Sequence, residues 1–123
     1  MTPEAFRIMA LQLPDVSEGA HMNHPDFRVC GRVFATLGYP SDEFAAIMLT
    51  PEEQAEFVKE GSGAFVPVKG GWGSKGSTNV RLNRASPELV KRALEAAWAR
   101  KSSAPAPRRR ARSPRRSPRG SSS

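Results

Sequence analysis

The sequence predicts an α+β fold: a two-layer sandwich in which an antiparallel sheet carries its helices on one face. Three observations support this. Three amphipathic stretches each begin with a hydroxyl residue, proline and glutamate. Five short segments between them alternate or run apolar. Their order, α-β-β-β-α-β-β-α, favours an antiparallel sheet with the helices grouped together.

The helix starts are Thr2-Pro3-Glu4, Thr50-Pro51-Glu52-Glu53 and Ser86-Pro87-Glu88. The hydroxyl accepts a hydrogen bond from an orphan N–H, proline gives up an N–H that would be unpaired anyway, and glutamate complements the helix dipole. Only Thr50 with Glu53 completes a capping box. The first helix carries Phe6, Met9, Ala10 and Leu13 on one stripe and stops at Pro14. Strands follow at residues 26–30, 32–37 and 44–49. Cys30-Gly31 forms a two-residue turn in which Gly31 supplies the positive φ, setting Phe27 opposite Phe34. The middle helix, residues 51–60, contributes Ala55, Phe57 and Val58, with Gly61 as its stop. Strands at 64–68 and 77–82 come next, the latter with Thr78, Val80 and Leu82 facing inward. In the last helix Leu89, Ala93 and Ala97 form one row and Val90, Leu94 and Trp98 the adjacent one.

With 123 residues, 38% of them hydrophobic, the chain makes one domain, which excludes a large multidomain enzyme. The net charge of +7 is unevenly placed. Residues 1–101 hold twelve basic and twelve acidic side chains, whereas residues 102–123 hold seven arginines, seven serines, four prolines and no acid. Residues 1–101 are therefore expected to be a neutral globular domain and 102–123 a disordered basic tail, with no periodic apolar residue to offset the entropy of ordering. No apolar run reaches membrane-spanning length and the start lacks the pattern of a secretory signal, so no membrane association and a cytoplasmic location are expected. One cysteine, Cys30, allows no internal disulfide and fits a reducing compartment.

Gly71-Trp72-Gly73-Ser74-Lys75-Gly76 matches G-x-G-x-x-G, a pattern found at nucleotide phosphates. Such a motif must lead into a helix, and here a strand follows, so no cofactor is expected. The loop does gather Lys69, Trp72 and Lys75, while Asn79, Arg81 and Asn83 share the outward face of the next strand. Two cations, a flat aromatic and outward polar groups suit phosphate contact and base stacking. The bland alternative folds Trp72 back over the core with the charges merely solvated. His21 and His24 have a spacing that suits a metal only on a helix, and Gly19 and Pro25 argue for a loop. Cys30 lacks an orienting base, and the acid pairs fall in a turn and a helix start, so no catalytic constellation emerges. The tail arginines, Arg108, Arg109, Arg110, Arg112, Arg115, Arg116 and Arg119, can neutralise phosphates without reading sequence. Ser113-Pro114-Arg115-Arg116 resembles the Ser-Pro-basic-basic elements of histone tails, which favour the minor groove.

An ordered set of landmarks goes further. Residues 7–16, residues 24–37, Leu49-Thr50-Pro51-Glu52-Glu53-Gln54, Gly71-Trp72-Gly73, Gly76 with Thr78 and Val80, and Ala96-Ala97-Trp98 together resemble the MmcQ/YjbR family over roughly residues 4–100. The resemblance implies a compact two-layer domain related to the CyaY-like group, a DNA-binding role through a double-wing arrangement, and no catalytic residues. Two departures stand out. Ser77 occupies a place where many relatives carry an aromatic, and the arginine tail is an addition. The iron-binding acidic ridge of CyaY proteins is not matched, because the first helix has only Glu4 before Asp15.

The expectation is thus a non-enzymatic DNA-binding protein, a monomer or weak dimer. Lys69, Trp72, Lys75, Asn79 and Arg81 would position the domain and the tail would supply most of the electrostatic affinity. The alternative is a protein-interaction or adaptor domain using an open sheet face or edge. Basic residues clustered on one face favour the first, and an exposed apolar patch or free edge the second.

Overall fold

The computed structural model describes residues 1–21, 24–38 and 41–103. Chain order is α1 (Pro3–Leu11), β1 (Val16–His21), β2 (His24–Val29), β3 (Arg32–Leu37), β4 (Phe44–Met48), α2 (Pro51–Glu60), β5 (Phe65–Pro67), α3 (Gly71–Ser74), β6 (Ser77–Arg81) and α4 (Pro87–Ser103). All strand pairings are antiparallel, in the order β1-β2-β3-β4-β6-β5. The α+β class and antiparallel sheet agree with expectation, and two elements are new.

The first new element is β1, where a loop was expected. Val16–His21 pairs along its whole length with β2, ending at His21 opposite His24. Only Val16 and Ala20 are apolar in this strand, because at the sheet edge most of its side chains meet water. The second is the single helical turn α3, which replaces the expected glycine loop. The β2–β3 hairpin also differs. Cys30 and Gly31 both have positive φ, 53° and 75°, as a two-residue hairpin turn demands. A bulge between Phe27 and Arg28 then shifts the register, so that Phe27 lies opposite Ala35 rather than Phe34.

The helix starts behave as their sequence dictates. Thr2 Oγ1 accepts from the Ala5 N–H at 3.0 Å. Around Thr50 the capping box is complete, with Glu53 N–H on Thr50 Oγ1 at 3.1 Å and Thr50 N–H on Glu53 Oε1 at 3.0 Å. One core joins the helices to one face of the sheet: Phe6 and Ala10 from α1, Phe57 from α2, and Leu89, Val90, Ala93, Leu94 and Ala97 from α4 meet Phe27, Phe34, Ile47 and Val80. Ala55 of α2 faces water instead. Phe6 packs edge-on to Phe27 with ring centres 6.2 Å apart. Trp98 is half-buried and donates through Nε1 to the Pro14 carbonyl at 2.9 Å, tying α4 to the end of α1. α4 takes in Ser102 and Ser103, and residues 104–123, with all seven tail arginines, lie outside the described residues. Among the described residues no helix is long and apolar enough to cross a membrane.

Candidate functional site

Because strand side chains alternate, the residues between the core positions line the opposite face of the sheet. Register places Asp26, Thr36, Ala46 and Asn79 side by side across β2, β3, β4 and β6. Thr36, Ala46 and Asn79 are short, as is Ser77 beside them, so this face is hollow. Taller groups rise around it: His24 and Pro25 at one side, Val68 and Trp72 at the other, and Arg100 and Lys101 where α4 overruns the strands. The enclosed groove measures about 760 Å³.

The Trp72 wall is built by close packing. Gln54 Nε2 on α2 donates to the Gly73 carbonyl at 2.9 Å and the Ser77 carbonyl at 3.0 Å, holding the α3 turn and the start of β6 together. A Cβ on Gly73 would lie 1.6 Å from the Val68 carbonyl oxygen. At Gly76, where φ is 112°, it would lie 1.9 Å from that of Leu49. Those two glycines of the G-x-G-x-x-G pattern therefore serve backbone packing, and a strand follows the turn, which leaves no helix N-terminus for a phosphate. Trp72 itself stays 70% exposed, and the Lys75 Nζ lies 5.7 Å from its ring centre.

The part of the rim formed by α4 is charged. Arg100 Nη2 donates to the Met48 carbonyl at 3.1 Å and to Glu53 Oε1, so the residue that caps α2 also anchors the end of α4. Burial pushes the Glu53 carboxyl up, but the Thr50 backbone N–H and Arg100 outweigh it and hold the group below its ordinary value. Lys101 is shifted down, first by burial and then by the like charges of Arg100 and Arg32. Asp26, 2% exposed, is held by Arg28 through two hydrogen bonds of 3.0 and 3.1 Å. The groove lining thus holds three cations, Lys75, Arg100 and Lys101, and one acid that a neighbouring arginine neutralises.

Of the residues singled out in the sequence, Trp72, Lys75 and Asn79 line this groove together. Arg81 is on the same face beyond the groove, with its guanidinium 4.9 Å from the centre of the Phe44 ring. Lys69 is exposed between β5 and α3 without joining the lining. His24 contributes to the lining, and Cys30 is exposed at the hairpin turn. Among the described residues no cluster of three or more His, Cys, Asp or Glu side chains is placed to hold a metal ion. Sequence reasoning missed Thr36, Ala46, Arg100 and Lys101. Alternation could have supplied the first two, but Arg100 and Lys101 resemble any cationic helix end.

Three comparisons bear on this arrangement. No curated protein matches the chain. The crystal structure of a Deinococcus radiodurans protein assigned the family-model domain DUF419 superposes with a TM-score of 0.64 at 20% identity, covering 79% of this chain and 75% of that one, which shows a shared fold. The family model for YjbR matches residues 11–100, a stretch that takes in every strand of the sheet, the glycine-tryptophan turn and every residue of the groove lining except Lys101. With most of its length accounted for in this way, the chain belongs to the YjbR family.

Proposed function

We propose that this protein binds DNA, largely without regard to sequence, using the open sheet face and the arginine tail together. One observation carries the reading. In a domain whose charges cancel in sequence, Lys75 and Lys101 line one groove whose acid, Asp26, is paired with Arg28 and whose Arg100 is paired with Glu53, so the unpaired charge left in the lining is positive. The shift of Lys101 supports it, since an ammonium crowded by Arg100 and Arg32 is stabilised when an anion approaches. Ser103, the last described residue, lies two positions past Lys101, so the tail sequence with its seven arginines follows directly on the helix that carries Arg100 and Lys101. Tail and groove then act on one ligand, each raising the local concentration for the other.

The test is fluorescence-anisotropy titration of a random-sequence duplex over a salt series. It compares the full chain with a full-length variant whose tail arginines are all serine. Losing seven phosphate contacts flattens the salt slope by about six. Residual binding that weakens on Lys75→Gln and Lys101→Gln assigns the remainder to the groove. A second reading, an adaptor that adds a partner strand, is favoured by β1 and β5 being the sheet edges, with Val66 of β5 42% exposed. Complete loss of both duplex and single-strand binding with the tail arginines would leave that reading in place of the groove.

A further inference from the structure

The groove is concave and its floor lies below the rim, which decides what form of DNA can fill it. Ala46 on the floor is only 8% exposed and is flanked by Thr36 and Asn79, whose side chains make no hydrogen bond to another described residue. From strand spacing, the row from Asp26 to Asn79 is about 14 Å long. A volume of about 760 Å³ falls in the range of pockets that bury small flat ligands, about 300–1,000 Å³. A duplex is a convex rod that hides its base faces and rests its phosphates on a surface. A splayed base, by contrast, offers a flat apolar body to the wall and an edge of donors and acceptors to the floor.

We infer that the open-face groove takes single-stranded DNA, stacking an unpaired base on Trp72, offering Thr36 and Asn79 to base edges, and holding phosphates at Lys75 and Lys101. The inference rests on the DNA-binding reading above and narrows it. Trp72 is 70% exposed, with the Lys75 Nζ 5.7 Å from its ring centre. An aromatic held out over a cationic groove is the arrangement by which single strands are bound without sequence preference. Lysines beside a partly apolar floor match a strand, in which phosphates alternate with bases. Other occupants fit less well. The arginine tail has the same sign as the rim, and a second copy would set one cationic groove against another.

The test titrates the full-length protein with a labelled oligothymidylate of about 16 nucleotides and with a duplex of equal length, at about 0.15 M salt. Anisotropy and intrinsic tryptophan emission are both read. The single strand binds more tightly than the duplex and quenches emission. Trp72→Ala weakens the single strand roughly 5- to 160-fold and the duplex less than about twofold. Because Trp72 is exposed, that variant keeps its fold. Ala46→Leu, which fills the floor, weakens the single strand in the same direction, and circular dichroism confirms its folding. Equal affinity for both forms, unchanged by Trp72→Ala, overturns the inference and leaves DNA binding intact. Binding of neither form overturns the DNA-binding reading itself. Tight binding of an oligouridylate RNA with none of the DNA strand overturns the assignment to DNA.

Discussion

The two faces of the sheet are made by the same strands and answer to different requirements. On the covered face Phe27, Ala35, Ile47 and Thr78 stand side by side, each completely inaccessible to solvent. One residue away, Asp26, Thr36, Ala46 and Asn79 form the row on the other face, smaller and more polar. Large side chains there would have closed the groove, and the helices already satisfy the sheet from the other side. The covered face therefore sets stability, and the open face is free to be shaped by a ligand. Substitutions that keep to one face should separate the two properties.

The largest effect is expected where the covered face is cut. Phe34→Ala removes a completely buried ring and should cost about 3–5 kcal/mol, out of a total of about 5–15 kcal/mol for a domain of this kind. Urea unfolding measures it, and DNA affinity per folded molecule should stay unchanged. Gly73→Ala comes next and crosses the division. Its methyl group meets the Val68 carbonyl, so the α3 turn must shift at a cost of about 1–3 kcal/mol, and Trp72 moves with it. Stability and binding should fall together in this variant, unlike in any change confined to one face.

The same contrast explains what was legible in the sequence. Inward residues repeat with the period of their strand or helix, so Val80, Leu82, Leu94 and Ala97 identify themselves, as do the three capped helix starts. β1 lacks that signal because an edge strand outside the main core keeps little apolar alternation. The bulge at Phe27/Arg28 left no mark in residue type, and so the hairpin register was misjudged by one position. On the open face, Trp72, Lys75 and Asn79 were legible through their chemistry. Thr36 and Ala46 matter for being small, which no local pattern distinguishes from filler. Arg100 and Lys101 belong to the groove only because α4 runs past the ends of the strands, a fact of tertiary length.

A smaller effect should appear where the faces join, at the Thr50–Glu53–Arg100 cluster. Thr50→Ala removes one half of the capping box and should cost about 1 kcal/mol. Glu53 adds a pH dependence of defined sign. Its folded-state carboxyl lies below the ordinary value near 4.5, so its stabilisation is fully present above that value and is lost as pH falls through the folded-state pKa. Glu53→Gln should therefore be less stable than the parent at neutral pH, and the gap should close on acidification below about pH 4, as followed by urea midpoints. Each side chain of the pair keeps about 30% of its surface exposed, which keeps the effect modest.

The smallest stability effect, and the sharpest division of the faces, is expected from Asn79→Ala. Asn79 shares β6 with the completely buried Thr78 and Val80, yet its amide makes no hydrogen bond to another described residue. Truncation leaves no buried group unpaired and no cavity in the core, so stability should change by less than about 0.5 kcal/mol, a shift of about 2–4 °C at most in the melting temperature. If the amide contacts a base edge, the lost hydrogen bond of about 0.5–1.5 kcal/mol weakens single-stranded DNA by roughly 2- to 13-fold. A variant that melts with the parent and binds less well would assign the open face to recognition. One that binds equally well would confine recognition to Trp72 and the cations.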